Sequence, residues 1–211
     1  MAKRSSPAGT RRRLPASEAR TRILDAAERK LADVGPESLR LAELASELGI
    51  SHPAILHHFG SREELVRAVI ERATARLNQR LASALSESAP DQLALFDLIS
   101  EFYNSKGNAR LLAWMALSGL APRYAASATC DTTVPPLQRL VELAHQRRIR
   151  RNKGRDLDYG DTEFRSQLAA LALLGEAIFG DMIRLSCGSP QGPDAARDFR
   201  QRLASLLREH P

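Results

Sequence analysis

The sequence predicts an all-α fold of about nine helices. Apolar residues recur at helical spacing, as in Leu41, Leu44, Ala45 and Leu48, which would form one stripe along a helix. Glycine and proline separate these stretches where helices would end, and no segment shows the alternation typical of a half-buried strand. We expect an N-terminal three-helix head that contains a helix-turn-helix, followed by a larger C-terminal helical bundle.

The first helix of the head is predicted between Ser17 and Gly35. Its apolar face consists of Ile23, Ala26, Ala27, Leu31 and Val34. Ser17 is a candidate N-cap for this helix, and the Gly35-Pro36 pair is typical of a helix stop.

The second helix is short and ends in a tight turn. Ser38 is placed to cap it, since a serine hydroxyl can accept a hydrogen bond from an unpaired N–H of the first turn. Gly49 stands where the helix must stop, because glycine adopts a positive φ without a Cβ penalty. We expect Ile50 to fill the angle between this helix and the next. This tight spacing is typical of a helix-turn-helix.

The third helix is predicted to span only about two turns. Ser51 is its candidate N-cap, and Pro53 lies in the first turn, where a missing N–H costs little. Ile55 would pack inward, which leaves His52 and His57 nearer the outer face.

The segment Ser61-Arg-Glu-Glu64 forms a capping box that opens a long fourth helix. In this motif Ser61 accepts from the N–H of Glu64, while the side chain of Glu64 reaches back to the start of the helix. Phe59 would pin the angle between the third and fourth helices. Together these segments form a helix-turn-helix head, which indicates DNA as the partner rather than a substrate.

Residues 20 to 66 resemble the DNA-binding head of the TetR family of transcription regulators. The elements Gly-Ile-Ser, His-Phe and Ser-Arg-Glu occur at the spacing of the family signature. The matching positions are Ser38, Leu44, Ala45, Gly49, Ile50, Ser51, Ile55, His58, Phe59, Ser61, Arg62, Glu63 and Leu65. Leu56 departs from the pattern, because the family commonly has there a Tyr that contacts the DNA backbone, and Ala54 stands where Thr is usual. The resemblance implies a helical body that encloses a ligand cavity and forms a dimer.

The third helix supplies the candidate contacts to bases. We expect Ser51, His52 and His57 to face base edges or adjacent phosphates in the major groove. His58 is interpreted as a packed residue that touches the DNA backbone. No metal site is predicted from these histidines, because His52 and His57 lie about 140° apart on a helix and no neighbouring Cys or Asp completes a ligand set.

Backbone phosphates are expected to meet Arg40, Arg62 and a basic arm formed by residues 1–17, which should be disordered in the free protein. Residues 1–20 carry six basic side chains and one acidic one, whereas residues 21–72 carry seven basic and nine acidic ones. The arm would therefore add affinity and steepen the salt dependence of binding. The alternative is a solvated tail that makes no fixed contact.

Residues 18–66 are predicted as the DNA-binding domain and residues 67–211 as a ligand-binding and dimerisation domain. Helices from the fourth onward are expected near residues 62–86, 91–103, 109–120, 137–149, 162–186 and 193–209. The segment 109–120 is apolar nearly all round, so we expect it to be buried. The last two helices could form a four-helix interface with those of a second chain, which the resemblance also implies.

The resemblance implies that the body binds a small-molecule effector whose identity the sequence does not give. Candidate lining residues are Phe102, Trp114, Met115, Leu117, His145 and Phe179. Each could instead be a plain core residue, and His145 could be a surface histidine. Apolar walls would favour a hydrophobic or aromatic effector.

Two further features have less specific interpretations. One body helix ends in a basic run that consists of Arg147, Arg148, Arg150, Arg151, Lys153 and Arg155. We expect this run to be solvated, and the alternative is that it binds an anionic effector or makes a second DNA contact. Cys130 and Cys187 are far apart, so we expect two buried reduced thiols rather than a disulfide.

Other classes of protein have little support. The chain shows no Gly-rich phosphate loop, no G-x-S-x-G elbow and no HExxH motif, so neither an enzyme nor a bound cofactor is expected. The sequence has no run of 18 apolar residues that could cross a membrane, and its basic N-terminus is not followed by the apolar core of a signal peptide. We therefore expect a cytoplasmic protein without a membrane partner.

The resemblance implies a homodimeric, ligand-responsive transcription regulator, and we expect a repressor that binds double-stranded DNA at a palindromic operator and is released by a small-molecule effector. Two alternatives remain open. One is a nonspecific architectural DNA-binding protein, and the other is a helical small-molecule-binding protein with a vestigial head.

Overall fold

The chain folds as an all-helical protein, as the sequence predicts. The structure is a computed structural model that describes residues 15–87, 91–119, 136–152 and 157–208. Within these ranges it contains nine α-helices and a 3₁₀ turn over Ser105–Gly107. The α-helices are α1 (Ala16–Val34), α2 (Leu41–Leu48), α3 (His52–Phe59), α4 (Arg62–Glu87), α5 (Gln92–Asn104), α6 (Asn108–Leu117), α7 (Pro136–Arg151), α8 (Tyr159–Ser186) and α9 (Pro193–Leu206).

The predicted caps of the first two helices are wrong. Pro15 occupies the N-cap of α1, and Ser17 lies inside the helix, where its carbonyl accepts from the Thr21 hydroxyl at 3.0 Å. Arg40 occupies the N-cap of α2 without a side-chain cap bond, so Ser38 does not cap that helix. The chain reaches α2 only after Leu39 has entered the core, where it is 2% exposed. Burial of Leu39 thus sets the start of the helix.

A single apolar cluster joins α1, α2, α3 and the first half of α4. Its most deeply buried members are Ile23, Ala27, Leu31, Leu44, Ile55, Leu65, Val66 and Val69. This cluster is the core of the head, and it confirms the apolar stripes read from the sequence.

Helix α6 of the body completes the core of the head. Leu111 and Met115 are 2% and 4% exposed and belong to the same cluster. The predicted domain boundary at residue 66 falls within α4, so one continuous helix runs through it. The expectation that α6 is buried all round is wrong, because Leu117 at its end is 89% exposed. Helix α6 is thus buried in part: Leu111 and Met115 pack in the head core, and Leu112 also contacts the body.

Two smaller apolar clusters organise the rest of the body. One joins α5, α8 and α9 through Phe96, Ala169, Leu173, Leu203 and Ala204. The other joins α4, α5 and α7 through Leu77, Leu81, Leu85, Phe102 and Leu140. Helix α5 therefore lies between the two clusters and contributes to both.

The outer face of α8 is apolar and exposed. Its exposed large side chains are Phe164, Leu171, Phe179, Met182, Ile183 and Leu185, and Leu206 of α9 is exposed as well. Cys187, just past the end of α8, is also exposed, so the prediction that it is buried is wrong; Cys130 lies outside the described residues. Among the described helices, none combines the length and the apolar character needed to cross a membrane.

Glu28 of α1 binds cations from two parts of the body. Lys106 Nζ lies 2.7 Å from its Oε1, Arg72 donates to its Oε2, and Arg76 Nη1 lies 3.5 Å from Oε1. Only 11% of the Glu28 side chain is exposed. Burial alone would raise the pKa of Glu28, but the hydrogen bonds and charges of Lys106 and Arg72 lower it below its ordinary value. The carboxylate thus joins the head to α4 and to the 3₁₀ turn.

Replacing Glu28 by Gln should lower the free energy of unfolding at neutral pH by about 2 kcal/mol, because charge-assisted hydrogen bonds are lost. A carboxylate with a lowered pKa stabilises the fold above its unfolded pKa, and this contribution is lost as the pH falls through the folded value. In urea unfolding experiments, the difference in unfolding free energy between wild type and Glu28→Gln should therefore become smaller as the pH falls below 4.5, the ordinary pKa of glutamate.

Asp25→Asn is the matched control, since Asp25 also binds Arg72, at 2.6 Å, but leaves 49% of its side chain exposed. We expect a loss of about 0.5 kcal/mol or less for this variant. Equal losses at the two positions, or a difference independent of pH, would contradict the role assigned to Glu28.

Candidate DNA-binding site

The turn between α2 and α3 is built on Gly49. Its φ of 65° and ψ of 31° are left-handed, and its N–H donates to the carbonyls at the end of α2. The next N–H, of Ile50, donates to the carbonyl of Ala45 at 3.0 Å. The Ile50 side chain is 37% exposed, so it does not fill the angle between the helices as predicted. Backbone hydrogen bonds, rather than this side chain, define the turn.

Ser51 caps α3, as predicted. Its Oγ accepts from the N–H of Ala54 at 3.3 Å, and Pro53 lies in the first turn. Ile55 is fully buried and Phe59 is 8% exposed, so these residues fix the inner face of the helix. Leu56 is half-buried against the head core.

The opposite side of α3 is open to solvent. Ser51, His52 and His57 are exposed, and His58 is half-buried. Arg40, at the start of α2, is exposed as well. A short helix with one face anchored in a core and polar side chains on the other can enter a major groove.

Arg20 braces the end of α3 from α1. Its Nη1 donates to the carbonyl of His58 at 2.8 Å, and its guanidinium carbon lies 4.2 Å from the centre of the Phe59 ring. In the sequence, Arg20 was only one of the six basic side chains of residues 1–20. No local pattern reveals this contact, because it joins residues 38 positions apart.

The start of α4 confirms half of the predicted capping box. Ser61 Oγ accepts from the N–H of Glu64 at 3.1 Å. The neighbouring Glu63 accepts from its own backbone N–H, from Arg62 and from Ser61, and these bonds lower its pKa although partial burial opposes them.

Arg62 points toward the body. Its Nη1 donates to the carbonyls of Pro36 at 2.6 Å and Glu37 at 3.3 Å, and its Nε donates to Glu63 Oε1 at 3.0 Å. The guanidinium carbon lies 5.7 Å from the centre of the Trp114 ring. The predicted phosphate contact stays a prediction, and in this structure Nη1 and Nε of Arg62 donate within the protein.

Two other basic residues of the head form ion pairs with acidic residues. Arg29 pairs with Glu47 at 3.4 Å and Lys30 with Glu43 at 3.2 Å. These pairs reduce the positive potential of α1 and α2, in line with the charge balance of the sequence. The basic arm, apart from residues 15–17, lies outside the described residues.

Comparison with known proteins agrees with this geometry. Residues 23–69 match the profile of bacterial regulatory proteins of the tetR family, which covers α2, α3 and parts of α1 and α4. Over this segment the chain is similar to the TetR family.

Two curated relatives from Mycobacterium tuberculosis are similar to this chain. An uncharacterized HTH-type transcriptional regulator is 32% identical over 94 residues, which cover 44% of this chain and 46% of the relative. This match thus spans about half of each protein. A protein named as an HTH-type transcriptional repressor is 26% identical over 212 residues and covers 97% of this chain and 98% of its own length. Both names agree with the prediction that the chain is not an enzyme.

A solved structure shares the fold through the body. A protein described as a transcriptional regulator from Saccharomonospora viridis, in complex with choline, has a TM-score of 0.57 and 21% identity. The similarity covers 92% of this chain and 97% of that one. The likeness of the fold therefore extends beyond the matched head.

The six residues predicted to line an effector cavity are dispersed in the body. Phe102 packs in the cluster of α4, α5 and α7, while Trp114 and Met115 face the head core. Leu117 and Phe179 are exposed. The described residues do not bring the six together around one cavity.

His145 lies in a polar contact between α7 and α8. Its Nδ1 is 2.9 Å from Thr162 Oγ1, and its ring meets Tyr159 edge to face at 5.2 Å. Arg148 donates to Thr162 Oγ1 at 2.5 Å and to Asp161 at 2.7 Å. Arg148 of the basic run therefore links α7 to α8, whereas the sequence predicted that the whole run is solvated. Lys153 and Arg155 lie outside the described residues.

A groove of about 810 Å³ lies between α5, the end of α8 and α9. Its walls combine apolar residues with charged ones, among them Asp97, Glu101, Glu176, Arg184 and Arg200. Several of them are already paired, as Arg200 is with Asp97 at 2.7 Å. None of the six predicted lining residues belongs to it. Among the described residues, no three His, Cys, Asp or Glu side chains form a group suited to a metal ion.

Ser51→Ala should lower the free energy of unfolding by about 1 kcal/mol, because the first turn of α3 loses its cap. Ser17→Ala is the matched control: Ser17 lies inside α1 and makes no cap bond, so we expect no loss. Urea unfolding of both variants measures the difference. A loss at Ser17 as large as at Ser51 would contradict the assignment.

Proposed function

We propose that the protein is a sequence-specific DNA-binding transcription regulator that acts as a homodimer on a palindromic operator in the cytoplasm. The observation that carries this proposal is the capped helix α3, whose inner face is anchored by Ile55 and Phe59 and whose outer face presents exposed polar side chains. The names of the relatives support regulation of transcription, and one of them supports repression.

Helix α3 would read bases in the major groove. Ser51, His52 and His57 occupy its exposed side, where they can reach base edges or adjacent phosphates. Arg40 would hold a phosphate beside the groove, and His58 would touch the DNA backbone. The basic arm would add affinity that falls steeply with salt.

The exposed face of α8, together with α9, would form the dimer interface. Phe164, Leu171 and Met182 lie within about 20° of one another around the α8 axis and are 62%, 68% and 60% exposed. A contiguous apolar face of this kind is typical of a protein interface. A two-fold arrangement would place α8 and α9 of both chains in one four-helix contact.

We further propose that the body binds an apolar or aromatic small molecule that releases the protein from DNA. The support is the likeness of the fold to that of a regulator solved in complex with a small molecule, choline. Phe102, Trp114, Met115, Leu117, His145 and Phe179 remain the candidates for contacts to it.

Selection of bound sequences from a random duplex pool at physiological salt tests the proposed function. We expect a palindromic motif with half-sites about one helical turn apart. Retention of DNA without a motif would instead support a nonspecific architectural protein. Absence of retention would favour a helical small-molecule-binding protein with a vestigial head.

His57→Ala should change the base preference at one position of each half-site, because an exposed side chain of the reading helix is lost. Arg40→Ala should weaken binding to all sequences without altering the selected motif, since a phosphate contact carries no sequence information. Selection profiles of the two variants measure the difference. Identical profiles for wild type and His57→Ala would refute the base contact.

Leu171→Glu should raise the dissociation constant of the dimer on the order of 100-fold. Symmetry places two copies of the change in one interface, and about 1.4 kcal/mol at each copy suffices. Gln146→Glu, on exposed α7 surface, is the charge-matched control. Sedimentation over a concentration series measures both variants, and a dimer that is unaffected by Leu171→Glu would exclude this face.

A further inference from the structure

Arg62 stands where three segments meet: the first turn of α4, the loop that leads into α2, and body helix α6. We propose that Arg62 is a positioning residue that couples α6 to the helix-turn-helix, rather than a ligand of DNA phosphate. This inference rests on the proposed DNA binding.

The head side of the contact consists of two backbone carbonyls. Arg62 Nη1 donates to Pro36 at 2.6 Å and to Glu37 at 3.3 Å. Pro36 has no N–H, so its carbonyl is its only backbone hydrogen-bonding group, and a charged donor binds it strongly. The loop that carries these carbonyls continues into α2, so Arg62 fixes the entry to the helix-turn-helix.

The body side of the contact is Trp114 of α6. The guanidinium lies above its ring at a distance typical of a cation–π contact. Helix α6 touches the same loop a second time, because the guanidinium of Arg110 lies 3.4 Å from the position that a Cβ on Gly35 would occupy. Gly35 has a φ of 77°, so the loop approaches α6 with a backbone suited to glycine.

A third bond of Arg62 involves its Nε. Its Nε donates to Glu63, whose lowered pKa keeps the carboxylate charged beside the guanidinium. The Arg62 side chain is 30% exposed. A phosphate that approached Nη1 or Nε would have to displace the carbonyls or the carboxylate, whereas the exposed Arg40 has no such bonds among the described residues.

A shift of α6 would therefore be transmitted to the loop before α2 through Arg62. Coupling of this kind is reciprocal, so DNA binding by the head should also change the surroundings of Trp114. Trp114 is the sole tryptophan of the chain, and its fluorescence reports on the contact without a label.

The test uses the full chain, a duplex obtained by selection, and titrations at several salt concentrations with tryptophan emission recorded. For wild type we expect the emission of Trp114 to change on binding. Arg62→Ala should bind about tenfold more weakly, as for a lost charge-assisted hydrogen bond, with an unchanged salt slope and no emission change. Arg40→Ala is the phosphate control and should reduce the salt slope by about one.

Arg62→Lys separates the two roles and keeps the charge if the alanine variant fails to fold. A lysine can hold a phosphate as a point charge, but it lacks the planar fork that binds the carbonyls while covering an aromatic ring. We expect Arg62→Lys to bind as weakly as Arg62→Ala. Recovery of wild-type binding by lysine, or a salt slope reduced by about one in Arg62→Ala, would overturn the positioning role.

The wild-type measurement separates the two proposals. Binding of the duplex with no change in Trp114 emission would overturn the coupling and leave the proposed function intact. A wild-type protein that binds no duplex would overturn the proposed function and the coupling together.

Discussion

The structure depends on the insertion of one face of α6 into the core of the head. Leu111 and Met115 are buried among side chains of α1, α2, α3 and α4, and burial of each contributes about 1.5–3 kcal/mol. Helix α6 follows α5 after the 3₁₀ turn, and α5 lies between the two apolar clusters of the body. The packing of the body therefore fixes the position of α6, and α6 in turn fixes the position of the head. A helix-turn-helix on a tether would need no such contact.

Charged side chains at the edge of this junction fix the orientation of the head relative to the body. Glu28 binds Lys106 and Arg72, which lie 78 and 44 positions further along the chain. Apolar packing tolerates small rotations, whereas these bonds require one relative placement of α1, α4 and the 3₁₀ turn. The bonds of Arg62 to Pro36 act in the same way on the loop before α2. The head is thus held by packing and oriented by hydrogen bonds.

Local patterns predicted the helices and the cap at Ser51, because helical periodicity and capping depend on residues only a few positions apart. The caps assigned to Ser17 and Ser38 were wrong, since burial of Leu39 and the position of Pro15 decide those helix starts. The inward direction of Arg62 and the exposure of one side of α6 depend on contacts between distant segments, which a sequence pattern does not encode. The effector candidates were chosen by residue type alone, and aromatic residues of a helical body serve equally as core and as surface.

The central claim is that each body holds its head at a fixed place, so that the proposed dimer reads two half-sites at one spacing. Binding of wild-type protein to the selected duplex should be compared with binding to duplexes that carry about 5 extra base pairs, half a helical turn, between the half-sites. The account predicts that the insertion lowers affinity to the level of non-specific DNA. Affinity that is independent of the spacing would contradict it, because the heads would then move freely on their bodies.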